Sequence, residues 1–509
     1  MFGMEWSRSW QSAGTDWVLA IVATALGGWL RWSGLGRQSL WVDEMSSFGM
    51  ADTGLRQIIP TVLSFDGHPP LYIFLVHIAH FNFGLGTVDS LRVPSLIAGT
   101  LTIPVVYFLA RYLVGRLAAI VATTLIVLSP LIVWYSREGR MYAVTWLFVM
   151  LSFVALVQAV RSGRLAWLGA YAVCVALSLY ADISAVMAIV PQAAIVAWFF
   201  LRTKGAERRM WLRAGLSYVA GWLLFVPWLA VLPRQLPLLH GTFSGYEPSP
   251  ASALRLALNL VGLDATYGSI YAPVMPWVVV VLVLLGYAAT IAIAVARRRD
   301  HPPFTAVAIA LTAGPAAMCL ALVVAGSPGV LLPRVMGLAA FGLALTVGGA
   351  AELVWRPLEA IRLSRAAVAA LVAVILGATS LSLVNVEAHG YNGQDWRSAA
   401  RLISNHAQPG DALIYYPYGL KIMVDAYLPV NSPWIKDGVG LWGAPHAVAE
   451  QEFAQWAAGH PRVWVVFYAA DAIDMPVHDQ WFRDYGYTRV LGNPDAGDGV
   501  LEYVPNSSS

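Results

Sequence analysis

An acidic pair, Asp43 and Glu44, follows the first hydrophobic segment of the chain, within the stretch Leu40-Trp41-Val42-Asp43-Glu44-Met45. Two adjacent carboxylates are costly to keep beside a membrane, so they indicate a site that handles protons or cations. We take Asp43 as the candidate general base and Glu44 as the group that orients a hydroxyl or a neighbouring cation. The alternative is that the pair caps the N-terminus of an interfacial helix.

Arg137 and Arg140 are three residues apart and share a face if their loop is helical. Guanidinium groups bind phosphate oxygens bidentately, so a phosphate is the expected partner of both. The alternatives are an internal ion pair with Glu138 or Asp182, or a lipid headgroup. Arg92 and Arg334, each near a proline at a predicted span end, are weaker phosphate candidates that could equally snorkel to the interface.

His68 precedes Pro69 and Pro70, which hold the backbone extended at this point. Two readings stay open for His68: it binds a substrate hydroxyl or a divalent cation together with the acidic pair, or it is a polar turn residue. The remaining candidates for substrate contacts are Glu138, Tyr142 and Asp182. No cofactor is indicated with certainty, and a divalent cation is left open.

Composition places these residues in a membrane protein. The chain has 509 residues, of which 58% are hydrophobic and only 12% are charged. This balance is typical of polytopic α-helical membrane proteins. The net charge of +3 gives no reason to expect a nucleic-acid partner.

Segments long enough to cross roughly 30 Å of hydrocarbon predict about 11 transmembrane helices. They lie near 16–34, 91–112, 116–134, 142–160, 165–181, 183–201, 214–233, 273–296, 304–325, 335–354 and 366–385. Arg and Lys concentrate in the connections that face one side, including 202–213. The positive-inside rule therefore predicts a cytoplasmic N-terminus and places the acidic pair and the C-terminus outside.

The sequence divides into a membrane domain, 1–385, and a small extracytoplasmic α/β domain, 386–509. Within the membrane domain, a large first outer loop spans 35–90 and contains a predicted interfacial helix at Leu71–Phe83. A second outer loop, 234–272, has the length of a mobile lid. In the tail, Asp395–His406 predicts an amphipathic helix. Further tail segments predict strands at Asp411–Tyr416, Val463–Tyr468 and Tyr487–Leu491 and a helix at Trp481–Tyr485.

Four motifs occur in order along the first 160 residues: Trp41-Val42-Asp43-Glu44, His68-Pro69-Pro70-Leu71, Leu91-Arg92-Val93-Pro94 and Tyr135-Ser136-Arg137-Glu138-Gly139-Arg140-Met141-Tyr142-Ala143. With these motifs the chain resembles GT-C lipid-dependent glycosyltransferases, in particular bacterial relatives of protein O-mannosyltransferases and aminoarabinose transferases. The resemblance implies an inverting transfer of one sugar from a polyprenyl-phosphate donor to a lipid, glycan or protein acceptor. It also implies action on the outer face of a bacterial cytoplasmic membrane.

Two other classes remain as alternatives. A polymerase or ligase of lipid-linked glycans would share the topology, but it would concentrate Arg in large late outer loops. A polytopic transporter would place ionisable groups in mid-span and show repeated halves. Here the charges gather at one surface, which favours the transferase interpretation.

Overall fold

The structure, a computed structural model, describes residues 13–235, 250–263, 277–296, 301–324, 333–355, 362–389, 395–416, 420–429, 435–438, 459–467, 483, 487–491 and 499–505. Most of these residues are helical. The first outer loop and the helix before it contain α1 (Ala13–Ser33), α2 (Val42–Ala51), α3 (Ile58–Phe65) and α4 (Leu71–His77).

The helices that follow form the body of the molecule. They are α5 (Thr87–Leu113), α6 (Arg116–Leu128), α7 (Pro130–Tyr135), α8 (Tyr142–Ser162), α9 (Leu165–Ala181), α10 (Val186–Arg202), α11 (Gly205–Leu229), α12 (Pro250–Leu260), α13 (Trp277–Ala296), α14 (Pro302–Val324), α15 (Pro333–Met336), α16 (Leu338–Trp355) and α17 (Arg362–His389). Six described helices are long and apolar enough to cross a membrane, and five further apolar helices are shorter. The prediction of a polytopic α-helical protein is confirmed.

Two predicted boundaries are wrong. The span predicted at 116–134 is two helices, because Pro130 has no N–H and begins α7, while the Ser129 hydroxyl accepts from the backbone N–H of Ile132. The connection predicted at 202–213 is shorter, because α11 already begins at Gly205, which has a φ of 61°. The basic residues of this stretch from Gly205 onward therefore belong to the first turns of α11. One of them, Arg208, has its guanidinium 4.5 Å from the ring centroid of Phe200.

The core of the described helices surrounds α5 and α8, which pack on each other and on α1, α6 and α9. Close approach depends on small residues where helices cross. A Cβ on Gly348 of α16 would lie 2.5 Å from the backbone oxygen of Ala118 in α6. The candidate site lies at the ends of α1, α5 and α8 that adjoin the loops 34–41, 83–86 and 136–141.

In the first outer loop, α2 carries the acidic pair. The helix predicted at Leu71–Phe83 is observed as α4 followed by a π-helical turn, Ile78–Asn82. Tyr72, Ile73 and Val76 are buried against the rest of the protein. Of the second outer loop predicted at 234–272, residues 236–249 and 264–272 lie outside the described residues, so the lid prediction stays untested.

The tail contains α18 (Trp396–His406), α19 (Leu420–Asp425) and five strands, β1 (Ala412–Tyr416), β2 (Ile435–Gly438), β3 (Val463–Phe467), β4 (Tyr487–Leu491) and β5 (Gly499–Pro505). The sheet order is β2-β1-β3-β5-β4, with β2, β1 and β3 parallel and the other two pairings antiparallel. The predicted α18, β1, β3 and β4 are therefore observed. Of the helix predicted at Trp481–Tyr485, only residue 483 is described.

The tail contacts the first outer loop directly ahead of the acidic pair. The hydroxyl of Tyr427 accepts from the backbone N–H of Leu40 at 2.9 Å. The backbone N–H of Arg397 donates to the Ser39 hydroxyl at 3.1 Å, and its guanidinium donates to the carbonyl of Gly36. Residues 36–40 are thus held between the helical body and the tail.

Candidate active site

Glu44 is fully buried, and its carboxylate is saturated with hydrogen bonds. It accepts from Arg92 at 2.8 Å on each oxygen, from the backbone N–H of Gly139 at 2.6 Å and from that of Trp41 at 3.3 Å. The contact with Trp41 caps the start of α2. Glu44 is therefore a structural acceptor that joins α2, α5 and the 136–141 loop.

Arg92 has all five of its N–H groups engaged. Besides the two bonds to Glu44, it donates to the carbonyls of Leu35, Gln38 and Ser39 at 2.8 to 3.0 Å. The side chain is 3% exposed. No N–H group of Arg92 is left for a phosphate, and its geometry instead fixes the chain just before the acidic pair.

Gly139 lies against this buried pair. A Cβ at this position would be 2.8 Å from the Glu44 carboxylate and 2.8 Å from the Leu91 side chain. Only glycine lets the loop backbone approach closely enough for its N–H to reach Glu44.

Asp43, in contrast, keeps an accessible carboxylate: its side chain is 27% exposed. Its partner is Arg334 of α15, with 2.9 Å between Nη1 and Oδ2. The Arg334 guanidinium also lies 5.9 Å from the ring centroid of Trp41. The fold thus brings Asp43 and Arg334 together from positions 291 residues apart.

Arg140 reaches toward the same helix. Its Nη1 donates to the Asp43 carbonyl at 3.2 Å and to the Ser47 hydroxyl at 2.7 Å. Its buried Nε has no hydrogen-bond partner among the residues that the structure describes. Arg140 therefore retains a donor beside Asp43.

Glu138 is 4% exposed, and neither of its carboxyl oxygens has a hydrogen-bond partner within the described part of the chain. Burial and the nearby carboxylate of Glu44 raise the pKa of Glu138 to about 8, against the opposing effect of Arg334. The carboxyl is therefore mostly protonated at neutral pH. Tyr142, buried at the start of α8, senses the charges of Arg334, Arg140 and Asp43 and belongs to the same cluster.

Arg137 points elsewhere, because residues 136–141 form turns rather than the helix considered above. It donates to the carbonyls of Leu30 and Arg31 and pairs with Glu387 of α17. Glu387 also binds Arg37 at 2.8 Å. An internal ion pair is thus the arrangement of Arg137, with Glu387 in place of Glu138 or Asp182.

His68 and Asp182 form a second polar group, with 3.3 Å between His68 Nδ1 and Asp182 Oδ1. Asp182 is 2% exposed and also accepts from Ser184. Although burial raises the pKa of Asp182, the hydrogen bonds from His68 and Ser184 outweigh it and lower the pKa. The imidazole, 20% exposed, lies 4.0 Å from Asp66.

Next to this group, an apolar cavity of about 500 Å³ opens between α3, α4, α9 and α11. It is lined by Ile59, Leu63, Pro70, Leu71, Phe74, Leu177, Tyr180, Pro227, Trp228 and Val231. Gln235 closes the nearby turn by donating to the Asp66 carbonyl at 2.9 Å.

A divalent-cation site finds no support in this geometry. Among the described residues, no three His, Cys, Asp or Glu side chains converge as metal ligands. Both oxygens of Glu44 already accept from Arg92, and His68 pairs with Asp182. These residues do not fit a metal, so no chemical step is assigned to one.

Glu387, Ser47 and Gln235 were not predicted as parts of the site. Glu387 lies in the last turns of a mostly apolar helix, and a lone acid near a helix end was the available signal. Ser47 and Gln235, both buried, carry no signal in the sequence that separates them from other polar residues.

Comparison with known proteins supports the resemblance drawn from the motifs. Residues 67–233 match the family model described as dolichyl-phosphate-mannose-protein mannosyltransferase. This segment contains His68, Arg92, Arg140 and Asp182. No curated protein matches the sequence.

Three solved structures share the fold. ArnT from Cupriavidus metallidurans in the apo state is 15% identical over 96% of this chain and 98% of its own, with a TM-score of 0.51. The oligosaccharyltransferase AglB from Archaeoglobus fulgidus, in complex with an inhibitory peptide and a dolichol-phosphate, is 14% identical over 93% and 72%, with a TM-score of 0.54. The arabinofuranosyltransferase AftD from Mycobacteria is 16% identical over 96% and 40%, with a TM-score of 0.50. The chain therefore has the GT-C fold of polytopic membrane proteins.

Proposed function

From the GT-C fold and the mannosyltransferase-family segment at 67–233, we propose that this protein is a membrane glycosyltransferase. It moves one sugar from a polyprenyl-phosphate donor to an acceptor hydroxyl, with inversion at the anomeric carbon. A lipid phosphate is bound by AglB, which shares the fold. The acceptor is a lipid, glycan or protein.

The observation that carries this proposal is the contrast within the acidic pair. Glu44 is saturated by Arg92 and two backbone N–H groups, whereas Asp43 is accessible and faces a cation. A carboxylate that keeps free lone pairs beside an arginine suits proton acceptance next to a departing phosphate.

In the proposed step, the acceptor oxygen attacks the anomeric carbon and its proton passes to the Asp43 carboxylate. The bond between the anomeric carbon and the phosphate oxygen breaks, and its electron pair stays on the polyprenyl phosphate. Phosphate is a good leaving group, so the step needs no strong general acid. The developing negative charge needs a cation instead.

Arg334 is the proposed phosphate ligand. Arg334 exchanges its contact with Asp43 for a phosphate oxygen, which would leave Asp43 available as the base. Arg92 and Arg137 hold the frame of the site, because their donors are already bound to protein groups. His68 and Asp182, beside the apolar cavity, are proposed to contact the substrate.

The proposed location is the cytoplasmic membrane of a bacterium, with the acidic pair and the C-terminal tail on the outer face. A polymerase or ligase of lipid-linked glycans is a second candidate, because AglB, an oligosaccharyltransferase, has the same fold. The two differ in whether one sugar or a preformed glycan is moved.

The test is to incubate purified protein with radiolabelled polyprenyl-phosphate monosaccharides and envelope extracts, and then identify the labelled product. Asp43→Asn provides the inactive control, and Asp89→Asn, at an exposed carboxylate in the first turn of α5, provides the matched active one. A parallel incubation uses radiolabelled lipid-linked oligosaccharides as the donor. Transfer of one labelled sugar from the monosaccharide donor supports the transferase. Transfer only from lipid-linked oligosaccharides would support the ligase, and no transfer from either donor class would exclude both.

A further inference from the structure

Polar atoms without partners are concentrated around Asp43. Both oxygens of Glu138, the Nε of Arg140 and the indole Nε1 of Trp41 are buried, and none has a hydrogen-bond partner among the described residues. Burying such groups without a partner is unfavourable. Unpaired groups gathered at one place are typical of a site that a ligand completes.

The chemistry of these atoms restricts the ligand. Glu138 needs a group that donates a hydrogen bond to a carboxyl oxygen, while Arg140 Nε and Trp41 Nε1 need an acceptor. A hydroxyl group does both. A phosphodiester offers acceptors alone, so it cannot donate a hydrogen bond to a Glu138 oxygen.

We propose that Glu138 and Arg140 form a subsite that binds hydroxyl groups of the donor's sugar ring, an inference that rests on the proposed function. The sugar would lie between this subsite and the phosphate at Arg334. Arg140 then contacts the sugar through Nε while its Nη1 remains on Ser47.

The positions of the neighbouring charges agree with this division. Four neighbouring charges act electrostatically on Glu138. Arg140 lies on the same loop as Glu138, whereas Asp43 and Glu44 belong to α2 and Arg334 belongs to α15. Arg92 already pairs with Glu44, and Glu138 has no ion pair within the part of the chain that the structure describes. A protonated Glu138 both donates one hydrogen bond and accepts one, as recognition of a hydroxyl requires.

The first experiment measures kcat/KM with undecaprenyl-phosphate mannose, glucose and arabinose, and then with the monodeoxy analogues of the sugar that the wild type uses. Glu138→Ala should lower kcat/KM by about 10- to 100-fold with the complete sugar. With the analogue that lacks the contacted hydroxyl, the variant and the wild type should be nearly equal. Asp89→Asn should match the wild type with every donor.

A loss that is equal for all analogues, or no loss at all, would show that Glu138 is merely structural. Transfer by the wild type tests the proposed function separately, because each Glu138 effect is a ratio to the wild type with the same donor. If the wild type transfers none of the sugars, the proposed function and the subsite both fail.

The second experiment uses Glu138→Gln, which keeps the size of the side chain and one donor at every pH, and so guards against misfolding of the alanine variant. Because the pKa of Glu138 is about 8, the wild type loses this donor as pH rises through 8. Donor KM should therefore rise above pH 8 in the wild type and change much less in Glu138→Gln. An identical alkaline rise in both proteins would overturn the assignment.

Discussion

Asp43→Asn and Glu44→Gln are substitutions at adjacent residues. Glu44→Gln should cause the larger loss of stability, and Asp43→Asn the larger loss of turnover. Glu44→Gln replaces one acceptor oxygen by an amide donor that faces Arg92 or a backbone N–H, and it leaves a buried guanidinium without its counter-charge. Breaking a buried ion pair from one side costs about 3–5 kcal/mol. The Asp43 side chain is 27% exposed and pairs with Arg334, so its loss should cost about 1 kcal/mol or less.

Turnover should show the reverse order. Asp43→Asn removes the proposed base and should lower kcat by about 10²-fold or more while donor binding persists. The assay pairs thermal unfolding, followed by tryptophan fluorescence in detergent, with sugar transfer from the polyprenyl-phosphate donor. Turnover per folded molecule should be higher for Glu44→Gln than for Asp43→Asn. If Glu44→Gln unfolds like the wild type and is inactive, the two roles are exchanged. If Asp43→Asn keeps normal turnover, Asp43 is not the base.

Three further predictions follow from the same geometry. Arg334→Ala should lower kcat/KM for the donor by about 10- to 100-fold. Arg334→Lys should restore only part of the lost kcat/KM, because an ammonium lacks the bidentate geometry of a guanidinium. Unchanged donor kinetics in both variants would remove Arg334 from the phosphate site. Gly139→Ala places a methyl group 2.8 Å from the Glu44 carboxylate and should destabilise the protein by about 1–3 kcal/mol. The destabilisation is measured as a lower unfolding temperature, and an unchanged temperature would mean that the loop shifts freely. A tag fused to the C-terminus should be cleavable by protease added outside intact cells, whereas protection of the tag would place the acidic pair on the cytoplasmic side.

The helical body was largely predictable because each span is an apolar segment of the length that a bilayer requires. The errors arose where local chemistry overrides hydropathy. Pro130 divides an apolar run that otherwise reads as one span, and basic side chains continue α11 back to Gly205. Neither effect changes the average hydropathy enough to be seen in a sliding window.

The candidate site was predictable in its members rather than in their arrangement. Motif order indicated that Asp43, Arg140 and Glu138 belong to one site, but no contact visible in the sequence explained why Asp43 rather than Glu44 should be the base. The physical reason for assigning the base to Asp43 rather than Glu44 is Arg92, which the folded chain places on Glu44 across 48 residues. Arg137 differs from Arg140 for the same reason, because its partner Glu387 is 250 residues away in sequence.

The contacts of residues 36–40 with the tail restrict how such proteins can be recombined. Tyr427 and Arg397 hydrogen-bond to the backbone of this short segment, and Arg92 donates to its Gln38 and Ser39 carbonyls. A chimera that exchanges the tail between two relatives therefore also alters the support of α2 and its carboxylates. Grafts that carry residues 36–40 together with their tail should remain functional more often than grafts of the tail alone, so these two distant stretches of sequence are best treated as one unit of exchange.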